Sequence, residues 1–163
     1  MEIRRARPDD AEAACAVLRR SIVELCRADH QDDAATIAAW LANKTADNVR
    51  RWIALSYDFV AVEQDRILGV AAMTPLGEVT LNYVSPDARF CGVSKALVRR
   101  LEQEAAELDV ATVALQSTAT ALRFYESMGF RGCGPPVKGF GITSGFPMTK
   151  SLERHGRART TTV

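Results

Sequence analysis

Six residues in the middle of the chain, Arg89-Phe90-Cys91-Gly92-Val93-Ser94, place one basic side chain, one glycine and one small hydroxyl just ahead of the amphipathic run "SKALVRRLEQEAAELDV". A strand ending at Val84-Ser85-Pro86, a turn through Gly92 and a helix starting near Ser94 would aim several backbone N–H groups at one point, which makes an anion site. The helix dipole adds roughly 0.3 to 1 kcal/mol for a negative charge there. Gly92 lets a phosphate approach where a Cβ would obstruct it, Ser94 can cap the helix through its hydroxyl, and Arg89 and Lys95 add local charge. Two common phosphate signatures fail. A Walker loop needs glycine where Asp87 stands and lysine directly after Gly92, and a dinucleotide fingerprint needs glycine where Phe90 stands. An ordinary helix-capping turn is the competing reading. Cys91 sits next to a helix N-terminus, where thiolates can be activated.

Two further groups have the types for proton chemistry. In "GEVTLNYV" strict alternation puts Glu78, Thr80 and Asn82 on one strand face and Val79, Leu81 and Tyr83 on the other. A polar face on a central strand suggests a wet groove. A glutamate of ordinary pKa, about 4.3, must be raised by burial to act as a base near neutrality, and Glu78 directly after Gly77 also reads as a solvated turn residue. His30, in "CRADHQDD", stands beside acidic residues in what reads as a surface loop. No helical or strand spacing there suits ligation, so no metal is expected.

The elements that must position these residues follow from periodicity. "MEIRRA" is a short strand, Pro8-Asp9-Asp10 suits a helix start, and Ala14, Val17, Leu18, Ile22 and Leu25 recur at helical spacing. A second helix through Ile37, Trp40 and Leu41 and a short third through Val49, Trp52 and Ile53 come next. From residue 59 the period shortens, and "FVAVEQDRILGVAAMTP" with "GEVTLNYVSP" forms a three-stranded meander. The helix from Ser94, the strand "ATVALQST", the helix "TALRFYESMGF" and two strands in the Gly/Pro-rich remainder, of which "FPMTKSL" is the clearer, complete the order. The expectation is an α/β layer fold with a mixed, mostly antiparallel central sheet of six to seven strands flanked by helices. Residues 1–152 form one domain in this reading, and 153–163, which have no apolar face, are expected to be disordered.

The 163 residues are 47% hydrophobic with a formal net charge of +1, so no global field draws the protein to nucleic acid or to a membrane. No apolar run approaches the ~18 residues of a membrane span. Four dispersed cysteines, no CxxC pair and no leader-like N-terminus fit a reduced, cytoplasmic protein.

The loop resembles the pyrophosphate-binding loop of the GCN5-related N-acetyltransferase (GNAT) superfamily, (Arg/Gln)-x-x-Gly-x-(Gly/Ala), with Ser94 in the last small position. "TALRFYESMGF" resembles that superfamily's late helix through Phe124, Tyr125, Glu126, Gly129 and Phe130, with Thr118 where an asparagine is frequent. The resemblance covers roughly residues 2 to 152. It implies acetyl-CoA as co-substrate, held by Val84, Arg89, Phe90, Cys91, Gly92, Val93 and Ser94, with Val84 polarising the thioester carbonyl through its N–H. It implies Tyr125 beside the coenzyme sulfur and acetyl transfer to a primary amine, small or peptidic, by direct attack in a ternary complex. The base is either Glu78, as in histone-type members, or a water relay oriented by Asn82. His30, in the region that forms the acceptor pocket of the superfamily, is a candidate substrate contact. A homodimer is a further implication, and the alternative function is a non-catalytic acyl-CoA-binding module.

Overall fold

Apolar periodicity assigns the helices to two sides of a sheet. In the computed structural model, which describes residues 1–153, strand β1 (Glu2–Arg5) leads through a single turn at Pro8–Asp10 into α1 (Ala11–Leu25). There Ala11, Ala14, Leu18 and Ile22 form a fully buried stripe. The short α2 (Arg27–His30), α3 (Ala34–Leu41) and α4 (Ala46–Leu55) follow. Asp33 caps α3 by accepting from Thr36 N, and Thr45 caps α4 by accepting from Asn48 N. The N-terminal segment thus contains one short helix more than its periodicity suggests.

The meander is β2 (Tyr57–Glu63), β3 (Arg66–Met73) and β4 (Glu78–Val84), and α5 (Val93–Glu107), β5 (Thr112–Ser117), α6 (Leu122–Ser127), β6 (Arg131–Gly132), β7 (Val137–Lys138) and β8 (Ser144–Ser151) complete the chain. Strands run in the order β1-β2-β3-β4-β5-β8-β6, with β7 paired to the start of β8. Every pairing is antiparallel except β4 with β5. Eight strands replace the expected six to seven because the Gly/Pro-rich segment contributes two ladders of two residues each, too short to carry a period. The expectation for the tail lies outside the described residues, Glu153 aside.

Two cores sandwich the sheet. Phe59, Ala61, Ala71 and Met73 pack against Val93, Leu97, Leu101 and Ala105 of α5, while Val60, Val70, Ala72 and Leu81 pack against α1 and Val49 of α4. A Cβ at Gly69 would lie 2.6 Å from Val93 and 2.9 Å from Leu97, so α5 can settle this closely on β3 only over glycine. That approach fixes the N-terminal end of α5 beside the end of β4.

Candidate functional site

The site is organised by a bulge that the alternation of "GEVTLNYV" does not reveal. Ala72 pairs with Leu81 but Met73 pairs with Val79, so Thr80 is an extra residue on β4. Val79 therefore joins the core under α5 while Leu81 joins the core under α1. The expected common face of Glu78, Thr80 and Asn82 is broken, because one inserted residue reverses the side-chain parity on either side of it. Asn82 faces α6, where its amide donates to the Tyr125 hydroxyl at 3.0 Å. Glu78 is exposed at the start of β4 and lines none of the cavities described below.

Tyr125 is 6% exposed and lies edge-on between Phe124 and Phe130. Burial pushes its phenol up to about 12, against a smaller opposing effect of the Asn82 amide. The phenol oxygen accepts from Asn82 and its own proton has no acceptor among the described residues, so a protonated donor is available. Asn82 Oδ1 is buried without a partner.

The loop after β4 keeps the expected strand–glycine–helix geometry but lacks the predicted side-chain cap. Gly92, at φ 77°, is the N-cap of α5, and Ser94 lies inside the first turn without capping it. No side chain among the described residues caps this terminus, and Ala96 N to Gly92 O is the helix's first bond at 3.0 Å. The N–H groups of residues 92–95 thus have no acceptor among the described residues, whereas Cys91 N donates to Ala88 O at 3.4 Å. The space above Gly92 is open to 4 Å around an added Cβ. Arg89 stacks its guanidinium 4.5 Å from the Phe90 ring, itself 90% exposed. Asp87, bonded to Arg20 of α1 at 2.9 Å, ties the loop back to the body.

Val84, Arg89, Phe90, Gly92, Val93, Ser94 and Lys95 line a cleft of about 510 Å³ that runs to Asn82, Phe124 and Tyr125. Cys91 is in the loop but not in this lining, and its thiol sits 3.5 Å from Arg89 O. β4 and β5 pair only at Glu78–Ala114 and Val79–Leu115. Beyond these pairs a small cavity bordered by Thr80, Asn82, Gln116 and Tyr125 opens between the strands. Asn82 and Tyr125 border both the cleft and this small cavity, which shares Thr80, Leu81 and Tyr83 with a third cavity of about 520 Å³.

Three features escaped the sequence reading. Asp29, 5% exposed, accepts from Ala119 N at 2.6 Å, from Thr120 N at 3.2 Å and from the Thr120 hydroxyl. It thereby holds the turn that launches α6 and, with it, Tyr125. Asp29→Asn replaces one acceptor oxygen by a donor facing donors, which is expected to cost about 1–3 kcal/mol and to lower Tm by roughly 3 to 10 °C in a thermal melt. An unchanged Tm would show that the clamp carries nothing.

His30 is 0% exposed rather than on a surface loop, which corrects both readings made of it. Asp32 N donates to its Nδ1 at 3.0 Å, so Nε2 carries the proton and donates to Ile22 O at 3.1 Å and Val23 O at 3.2 Å. The ring fastens α2 to the end of α1 and has no face toward a ligand. Its acidic neighbours misled because Asp29 points inward too.

The third feature is the cavity of about 520 Å³ itself, whose walls include Trp40, Trp52, Tyr83 and Phe140 around Lys44. Lys44 is 5% exposed, and burial pulls its ammonium down to about 8. Between that value and the ordinary 10.5 the unfolded chain binds a proton that the folded one does not, so stability gains with pH across this window. Wild type is therefore expected to gain stability relative to Lys44→Met as pH rises from 8 to 10.5, measured by urea unfolding. A constant difference would contradict the buried ammonium. The only sequence signal was the uncharged stretch from 34 to 43 that ends at Lys44.

Among the described residues no group of three or more His, Cys, Asp or Glu side chains is arranged to hold a metal ion, and no helix is long and apolar enough to cross a membrane. All four cysteines are free thiols.

Comparison with known proteins bears on the fold and the family. The Acetyltransferase (GNAT) domain profile matches residues 26–152. No curated protein sequence matches. The structure is similar to the GCN5-related N-acetyltransferase from Rhodopseudomonas palustris, at 22% identity over 93% of this chain and 95% of that one, with a TM-score of 0.84. It is also similar to the PaiA N-acetyltransferase from Thermoplasma acidophilum in complex with coenzyme A, at 17% identity, 93% and 98% coverage and a TM-score of 0.77. The structure of yncA from Salmonella typhimurium with acetyl-CoA follows, at 20% identity, 96% coverage of both chains and a TM-score of 0.72. Identities this low speak for the fold, and the profile, which spans most of the sequence, speaks for the family: this chain belongs to the GNAT acetyltransferase domain family of N-acetyltransferases.

Proposed function

We propose that the protein transfers an acetyl group from acetyl-CoA to a primary amine by direct attack in a ternary complex. The observation that carries this is the protonated Tyr125 hydroxyl, held by Asn82 where the cleft from the uncapped α5 terminus meets the small cavity between β4 and β5. The cleft fits the coenzyme on its own features: open space over Gly92, N–H groups without acceptors, and Arg89 and Lys95 at its rim. Bound acetyl-CoA supplies the thioester. The backbone of 92–94 receives the pyrophosphate beside the Phe90 ring, Cys91 N–H being held by Ala88 O, and Val84 N–H orients the carbonyl.

During transfer the amine nitrogen forms a bond to the acetyl carbon, the carbon–sulfur bond breaks, one amine proton departs and the sulfur leaves as thiolate. A phenol of about 12 against a thiol near 8.5 makes full proton transfer from Tyr125 uphill by roughly 5 kcal/mol. Tyr125 therefore serves the sulfur as a hydrogen-bond donor that stabilises the developing charge. Asn82 Oδ1, buried and unpartnered, is the acceptor that orients the amine or a relaying water. This favours the water relay over Glu78, which lies outside the cavities.

The test is incubation of the protein with acetyl-CoA and a broad amine panel while released thiol is titrated and N-acetyl product is weighed by mass spectrometry. Equimolar thiol and product are expected. Acetyl-CoA binding without turnover across all amines would favour a binding module instead.

A further inference from the structure

The cavity of about 520 Å³ around Lys44 has a composition that selects among amines. Trp40 and Phe140 stack with ring centroids 6.1 Å apart and planes at 15°, and Trp52 and Tyr83 supply further apolar wall. Phe140 is brought there from the far end of the chain because Ile142 N donates to the buried Thr36 hydroxyl at 3.1 Å. Lys44 is the only charged side chain in the lining described. Its Nζ lies 5.2 Å from the Phe140 ring centroid and 5.9 Å from that of Trp52 and donates to Asn43 Oδ1 at 2.7 Å. The two remaining N–H bonds have no partner, and no ion pair neutralises the charge, among the described residues. A buried cation of this kind is stabilised when an anion reaches it.

We infer that the acceptor is a free amino carboxylate with an apolar, planar body, whose carboxylate pairs with Lys44 while its body lies among Trp40, Trp52 and Phe140. This rests on the acetyltransferase reading and narrows it. A single lysine matches a single negative charge, so the complement is a carboxylate rather than a doubly charged phosphate. Polycations are disfavoured because no carboxylate lines the cavity and Lys44 repels them. Protein N-termini carry an amide where the cavity asks for an anion. A volume of about 520 Å³ suits a small molecule.

The experiment compares kcat/KM for L-tryptophan and L-phenylalanine with tryptamine and phenethylamine, which lack the carboxylate, and with spermidine and kanamycin. Acetyl-CoA affinity is measured alongside by calorimetry, and amino acid binding by quenching of Trp40 and Trp52 fluorescence. The amino carboxylates are expected to exceed their decarboxylated counterparts at least tenfold. In Lys44→Met, checked for folding by thermal melting, this ratio falls to about one through KM, and Lys44→Arg restores part of it. Equal or better use of tryptamine, phenethylamine or the polycations overturns the inference, as does a ratio that Lys44→Met leaves intact. Normal acetyl-CoA binding with no turnover of either amino acid overturns the inference and leaves the coenzyme site standing. Absence of acetyl-CoA binding in wild type overturns the parent reading and this one together.

Discussion

Gly92→Val is expected to lower acetyl-CoA affinity at least about 100-fold while Tm falls by only a few degrees. Two separate effects produce that split. At φ 77° an L-residue costs roughly 1–2 kcal/mol, a modest loss for a helix otherwise anchored by Val93 and Leu97 in the core. Open space around the added Cβ means that nothing in the fold is struck. The isopropyl group instead stands in the volume a pyrophosphate needs to reach the N–H groups of the turn. Loss of two hydrogen bonds to a charged group, at about 1.5–3 kcal/mol each, gives the hundredfold figure or more. Cys91→Ala, one residue away but outside the cleft lining, should bind within about twofold of wild type. Calorimetric titration of both variants decides the matter, and equal affinity in Gly92→Val would end the pyrophosphate assignment.

Tyr125→Phe should reduce kcat by about 10²–10³ with little change in acetyl-CoA affinity, the loss typical of one donor to a developing negative charge. The ring keeps its edge contacts with Phe124 and Phe130, so the apolar packing survives. Asn82, whose amide donates to the missing oxygen, is left with an unpartnered buried group, and a stability loss of about 1–3 kcal/mol accompanies the kinetic one. The two losses separate by readout: melting reports the amide, and single-turnover thiol release reports the chemistry. Because the phenol is pushed up to about 12, wild-type kcat should show no alkaline decline from Tyr125 below pH ~10. A kcat within threefold of wild type in Tyr125→Phe would remove the tyrosine from the reaction.

The loop around Gly92 was legible in the sequence because its geometry is local: a strand end, a glycine at positive φ and a helix start are contiguous. Tyr125 was legible by resemblance, and its setting between two phenylalanines follows from the same short motif. Glu78 was misjudged with Thr80 because a bulge depends on the partner strand, and nothing in "GEVTLNYV" says that Met73 will face Val79. His30 was misjudged and Asp29 passed over because their partners, the carbonyls ending α1 and the amides of 119 and 120, are backbone groups without side-chain signature. The aromatic cavity was illegible because Trp40 and Phe140 meet only after the sheet is assembled.

The pairing between β4 and β5 has a mechanical consequence. Only Glu78–Ala114 and Val79–Leu115 join β1 through β4 to the strands that follow, so the sheet is two blades sharing a narrow root. Separation at the tips strains few backbone hydrogen bonds, and in the proposed complex a ligand lying across the gap would replace the missing rungs. Substrate occupancy and rigidity of the whole sheet are then expected to rise together. Amide exchange at Asn82–Val84 and Gln116–Ser117 should slow together on acetyl-CoA binding, as in a strand completed from outside.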